Sequence, residues 1–245
     1  MACAPTFAGN PGDVVDEFVR DAIWLHEYPV RFGLARFNAR MTVLRLGGGR
    51  LMIHSPAPLD DALVEEIQRL GAVAYIVAPG NFHHLHVAPC QERFPDAETW
   101  LCPGVEKKRP ELSFAGLLDD RPVAAWADEL DQVLVRGGRW IREVAFLHRP
   151  SGTLLLVDVI ENIGDHTPGV NWVLKLWWKG PFRMWNRPLP APEYRLGWKD
   201  KAAARESLQR ILSWDFSRIV IAHGDLIEVD AKATARAAWQ GVLRE

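Results

Sequence analysis

The chain has 245 residues, 48% of them hydrophobic, which is ample for a real core. A formal charge of -2 and a pI near 6.5 exclude a global basic field, so no nucleic-acid partner is expected. Cys3, Cys90 and Cys102 form no CxxC pair, no window reaches the roughly 20 apolar residues of a spanning helix, and "MACAPTFAGNPGD" lacks a charged leader with a long apolar stretch; together these predict a cytoplasmic protein without a thiolate metal site.

In chain order, "RMTVLRL" and "LMIHSP" are short apolar, β-branched runs around the glycine turn "GGGR", which predicts a β-hairpin. "LDDALVEEIQRL" then sets Leu59, Leu63, Ile67 and Leu70 at helical spacing behind an acidic first turn, and "AVAYIVAP" follows as a continuous apolar strand. A helix is expected across "HHLHVAPCQERF". Strands follow in "AETWLCP", "DQVLVRGG" and "REVAFLHRPSGTLLLVDVI", then a helix in "KDKAAARESLQRIL", the strand "RIVIAHG" and a last helix from about Ala231 to Leu243. Strands precede helices in both halves, which predicts two sheets with helices outside them. No internal repeat or low-complexity linker interrupts the pattern.

Three of the eight histidines fall within "HHLH", and His or Asp recurs at or just past strand ends: His83 and His84, His148, Asp158 in "LLLVDVI", and His223 in "IVIAHGD". Strand ends are where α/β folds place their chemistry. Imidazole and carboxylate together suit a zinc-like divalent ion held by three or four such groups. Asp158 follows four apolar residues, and a buried carboxylate needs a partner or a metal.

The order of these features resembles the metallo-β-lactamase superfamily. Within it, "PVRFGL", "RMTVLRLGGGRLMIHSP", "IVAPGNFHHL", "FLHRPSGTLLLVD" and "AHGD" look like a branch defined as a domain of unknown function, and the likeness runs from about Trp24 to Leu243. It implies a single α/β domain over 1–245, a four-layer αβ/βα sandwich with its site along one edge between the sheets. The superfamily's His-any-His-any-Asp-His motif, laid with its last His on His84, puts its other ligand positions on Pro79, Asn81 and His83. Its separate middle histidine falls near "VRGGRW", which has none. The resemblance thus implies loss of the first metal site and a mononuclear second site held by His83, His84, Asp158 and His223, with zinc the first choice of ion and iron or manganese the others.

Around that set, Asp225 is a candidate to orient His223 or relay protons, giving Asp158 and Asp225 as catalytic candidates. His54, Asn81 and His148 are the candidate supporting residues. His86 lies on another helix face from His84 and reads as a bystander. His166, in "GDHTPG", follows the Asp158 strand where the family's middle histidine precedes it, so it is only a substitute.

An aromatic, basic insertion spans about 167–200: between Asn171 and Lys201 stand Trp172, Trp177, Trp178, Trp185 and Trp198 with seven Lys or Arg, opposed by Glu193 and Asp200. Within it "VNWVLKLWWKGPF" predicts a short helix with Lys175 and Lys179 at i,i+4. Packing of these tryptophans on the sandwich is the first reading, and a lid over the site the second. A peripheral membrane or dimer contact through 170–198 is the third. The expected function is metal-dependent hydrolysis of a small-molecule substrate; the alternative is a non-catalytic binding protein keeping the sandwich and a degenerate or structural ion.

Overall fold

The structure, a computed structural model, describes residues 14–244, so Cys3 and the leader reading lie outside the described residues. The first sheet begins with β1 (Asp16–Val19), β2 (Ile23–Phe32), β3 (Ala35–Leu46) and β4 (Arg50–His54). The β3–β4 pair is the expected hairpin, with Leu46 opposite Arg50, and Gly48 and Gly49 both take φ of 74° in its turn, where glycine alone is unstrained. β1 and the long β2 carry no turn signal of the kind that marks the hairpin, and they add two strands to those expected.

Helix α1 (Asp61–Leu70) starts where the Asp60 carboxylate accepts the Leu63 N–H at 2.9 Å, and buries Leu63, Val64 and Ile67. After β5 (Ala72–Ala78) the chain makes a turn through 81–86 before α2 (Val87–Arg93). The predicted helix over 83–94 is therefore shortened. Started at His83, it would carry Pro89 in its interior and lose a backbone bond; started at Val87, it holds Pro89 in its first turn, where no bond is lost. His83 and His84 consequently sit in the turn. The sheet is completed by β6 (Glu98–Leu101), the short α3 (Val105–Lys108) and β7 (Gly116–Leu117), giving the order β1-β2-β3-β4-β5-β6-β7.

The second sheet holds β8 (Leu130–Val135), β9 (Glu143–His148), β10 (Thr153–Leu156) and, after α4 (Trp172–Lys179), α5 (Pro192–Gly197) and α6 (Lys201–Ser213), β11 (Arg218–Ile221), in the order β11-β10-β9-β8. The predicted last helix is broken at Trp239 into α7 (Ala231–Ala238) and α8 (Gln240–Leu243). Side chains in the second sheet alternate as a period of two requires. Val144, Phe146, Leu155 and Val220 enter the core shared with the first sheet. Ala145, Leu147, Leu154, Leu156, Ile219 and Ile221 pack instead with α6, α7 and α8. Both faces of the sheet are thus covered, and the layers run helix, sheet, sheet, helix. The expected αβ/βα sandwich is the fold observed.

Two junctions bring the sheets together at one edge. Val144 N–H donates to Pro79 O at 2.7 Å and Asn81 N–H to Arg142 O at 3.0 Å, stitching the loop after β5 to the start of β9. Arg40, buried on β3, donates to the carbonyls of Ile221 and Gly224 and pairs with Glu27, tying the end of β11 to the first sheet. Among the described residues no helix is long and apolar enough to cross a membrane.

Candidate metal centre

β10 and β11 are parallel, so both end at this stitched edge, and the loops leaving β5, β10 and β11 converge there. His83 Nε2 lies 3.2 Å from Asp158 Oδ1, and His223 Nε2 lies 3.5 Å from the same oxygen. The two imidazoles are 5.3 Å apart between ring centroids. One ligand atom from each of the three residues falls within 4.8 Å of the others, the geometry of a candidate metal site.

The far nitrogen of each histidine is held. His223 Nδ1 is 3.1 Å from the Asn38 carbonyl, which can only accept, so Nδ1 carries the proton and the Nε2 lone pair faces Asp158. Burial pushes the His223 pKa down to about 4 against the pull of Asp158, so a second proton on the ring is disfavoured. Two acceptors then face each other, an arrangement that a cation between them resolves. His83 Nδ1 is 2.9 Å from Ser55 Oγ, which can accept from it and leave Nε2 free in the same way. In the absence of an ion, burial alone would lower the His83 pKa, but Asp158, through its charge and hydrogen bond, and Glu143 outweigh it and raise it. Burial likewise acts to raise Asp158, and the His83 and His223 rings more than offset this, so its carboxyl is held low.

Asp158 is positioned by Glu143, fully buried at the start of β9. Its carboxylate accepts the N–H groups of Val157, Asp158 and Val159 at 3.1, 2.8 and 2.7 Å. Burial, then the neighbouring Asp158 charge, raise the Glu143 pKa to about 7 despite those donors. Gly224, with φ of 98°, lets the chain leave His223 so close to Asn162 that a Cβ there would lie 2.1 Å from its carbonyl oxygen.

His83, Asp158 and His223 form the floor of a pocket of about 240 Å³. Its walls are largely aromatic and apolar, among them Tyr28, Phe37, Leu174, Trp177, Trp178 and Phe182. The acids Glu161 and Glu193 also reach it. Glu161 is buried, and its carboxyl is raised well above the ordinary range by burial and by the charges of Asp158, Glu193 and Glu143. Among the described residues six buried side-chain polar atoms lack a hydrogen-bond partner, and four of them, His84 Nδ1, Asp158 Oδ2, Glu161 Oε2 and Trp178 Nε1, belong to residues lining this pocket. Buried polar atoms are normally satisfied, and an ion, polar ligand or ordered water in the pocket would satisfy these.

The structure therefore brings together three of the four expected ligands. His84 lines the pocket but stands outside the cluster, and burial together with the charges of Lys108 and Arg109 lowers its pKa. Asp225 is half-buried near Thr167 and His166 and does not belong to the three-residue cluster, and His166 is exposed. His148 lies at the opposite end of the β9–β10 hairpin, because these strands are antiparallel and the start of β9 is what meets Asp158. There its Nδ1 pairs with Ser151 Oγ at 2.7 Å. His54 is buried edge-on against Phe146 beside His83, its pKa pushed down to about 3 by burial and by that neighbour. Asn81 secures the loop, donating to Trp140 O and accepting from Arg142 N–H, both at 3.0 Å. His86 packs edge-on against Tyr28. Of the cysteines, Cys90 and Cys102 are buried away from the cluster, the Cys90 thiol pushed up to about 12 by burial.

Ser55, Glu143, Glu161 and Arg40 were not singled out from the sequence. Glu161, in "VDVIEN", was open to the argument that found Asp158, a carboxylate inside an apolar run. Ser55 stands at a strand end one residue past His54. Glu143 and Arg40 act through contacts distant in the chain and leave no local signal.

The fold is that of the metallo-β-lactamases. An enzyme from Pontibacter korlensis superposes with a TM-score of 0.63 at 10% identity, covering 92% of this chain and 98% of its own. One from Erythrobacter litoralis gives 0.58 at 15%, covering 94% of each. FIM-1 from Pseudomonas aeruginosa, in its mono-zinc form, gives 0.61 at 10%, covering 92% and 94%. The chain itself belongs to the family described as Domain of unknown function (DUF4336), whose profile matches residues 20–178. No curated protein matches it in sequence.

Proposed function

We propose that the protein is a metal-dependent hydrolase in which His83, Asp158 and His223 hold one divalent ion, zinc first among the candidates and iron or manganese after it. The observation that carries this is the pair of acceptors, His223 Nε2 and Asp158 Oδ1, facing each other across 3.5 Å on the floor of a pocket. Three protein ligands suit a catalytic site, since a fourth would close it. An ion held there supplies Lewis acidity towards a carbonyl or phosphoryl group and makes water a stronger acid. The rest of the work falls to the chain. Asn38 and Ser55 fix the two imidazole tautomers, and Glu143 fixes the Asp158 backbone. Glu161, protonated over a wider pH range than an ordinary carboxyl, can hold or donate a proton inside the pocket. The aromatic walls exclude water and favour a substrate with an apolar body. FIM-1, a structural neighbour with the same fold, has been solved in a mono-zinc form, which supports the reading of a single ion.

A second reading rests on the line Ser55–His83–Asp158, which has the connectivity of a nucleophile–base–acid triad. Ser55 is only 1% exposed and does not line the pocket, so the hydroxyl has no access to substrate, and it is better placed to orient His83. The test is a panel of ester, thioester, lactone and phosphodiester substrates with metal-loaded protein. Turnover that survives Ser55→Ala and is lost in Asp158→Ala is expected. Metal-independent turnover lost in Ser55→Ala would establish the triad, and no turnover across the panel would favour a binding protein.

A further inference from the structure

Beside the pocket mouth, two segments far apart in sequence are clamped into one surface. The tip of the β2–β3 hairpin meets the start of α4 through Asn171, whose side chain donates to Leu34 O at 2.8 Å and accepts the Arg36 N–H at 3.1 Å, while its own N–H donates to Arg36 O at 3.1 Å. Asn171 also caps α4, accepting from Leu174 N–H. The clamp fixes both segments with their large apolar side chains outward: Leu34 is 77% exposed, Trp172 74%, Leu176 59% and Phe32 57%.

On α4 the two faces separate cleanly. Val173, Leu174 and Trp178 are buried, and at 100° per residue Trp172, Lys175, Leu176 and Lys179 share an exposed arc of about 100°. The Lys175 and Lys179 amines lie over the Trp185 ring at 5.0 and 5.3 Å, with Asp165 3.8 Å from Lys175. Arg31, Arg36 and Arg183 add three further exposed cations. Neither 28–38 nor 170–185 contains an Asp or Glu. Protruding Trp, Phe and Leu ringed by Lys and Arg are costly in water and are not what a polar protein partner selects. They match the boundary of an anionic bilayer, where rings and aliphatic side chains enter the acyl region and basic side chains reach the phosphates.

We propose that the β2–β3 tip and the outer face of α4 form a peripheral docking surface for an anionic lipid bilayer. Arg31 and Phe32 belong both to this surface and to the lining of the pocket, so docking sets the pocket mouth against the lipid. The docking itself does not depend on the metal reading.

Co-sedimentation of the full chain with vesicles of phosphatidylcholine alone, or mixed with phosphatidylglycerol, tests this without added metal. Binding to the mixed vesicles at least about tenfold stronger than to the neutral ones is expected, weakening with salt. Trp172→Ser with Leu176→Ser, both outside the core, should cost about tenfold or more. Arg36→Glu combined with Lys179→Glu should abolish the preference for phosphatidylglycerol. Asp158→Asn should bind vesicles as the wild type does, which separates this surface from the metal centre. Equal sedimentation with both vesicle types, or no loss in the Trp172/Leu176 variant, would overturn the proposal. So would a wild-type dimer that this variant turns monomeric while neither binds vesicles, which would make the surface a contact between copies.

Discussion

A histidine beside a hydroxyl stands near each end of the β9–β10 hairpin, His148 at its turn and His83, from the loop after β5, at the other, and the two ends differ in what is left unpaired. At the turn end His148 Nδ1 meets Ser151 Oγ, which donates to Thr153 Oγ1 at 2.7 Å, so that the polar groups satisfy one another. At the other end His83 meets Ser55, yet Asp158 Oδ2 and Glu161 Oε2 remain without partners and His223 offers a lone pair to a carboxylate. A closed polar network serves the fold; an open one at the C-terminal ends of parallel strands, facing a pocket, serves a ligand.

Substitutions at the two ends sharpen this contrast. Glu143→Ala leaves three buried N–H groups without their acceptor and should destabilise the fold by roughly 3–5 kcal/mol in urea unfolding. A loss under about 1 kcal/mol would show that Glu143 does not hold the Asp158 loop. Gly224→Ala, forced against Asn162 at a positive φ, should cost about 2–4 kcal/mol and weaken metal binding with it. Ser55→Ala should keep the fold but lower metal affinity about 10–100-fold, the effect of losing a partner that orients a ligand. The smallest effect belongs to the turn end: Ser151→Ala should cost about 1 kcal/mol and leave metal affinity unchanged. A metal effect at Ser151 equal to that at Ser55 would erase the distinction between the two ends.

Much of this was legible in the sequence because the signals are local. The glycine turn at 47–49, the periodic helix behind its acidic first turn, the apolar run ending at Ala78 and the buried strand before Asp158 all depend on neighbours in the chain, and each element appears where expected. The convergence of His83, Asp158 and His223 followed from strand order within a recognised fold. What the sequence did not show depends on register and orientation. His148 looked like a partner of Asp158 until the antiparallel pairing placed it a strand length away, and His83 and His84 looked equivalent until the fold brought only His83 into the cluster. The aromatic segment divides in the same manner: Leu174 and Trp178 pack with Ala35, Ile163 and Met184, which favours the packing reading, while Trp177 and Phe182 join them in walling the pocket, as a lid would.

The most direct test is calorimetric titration of metal-stripped protein with zinc, comparing the wild type with His84→Ala, Asp158→Ala and His223→Ala. One equivalent bound by the wild type and by His84→Ala, and none by the other two at the same concentrations, is the predicted result. No binding by the wild type, or binding that persists in Asp158→Ala and His223→Ala, would contradict it.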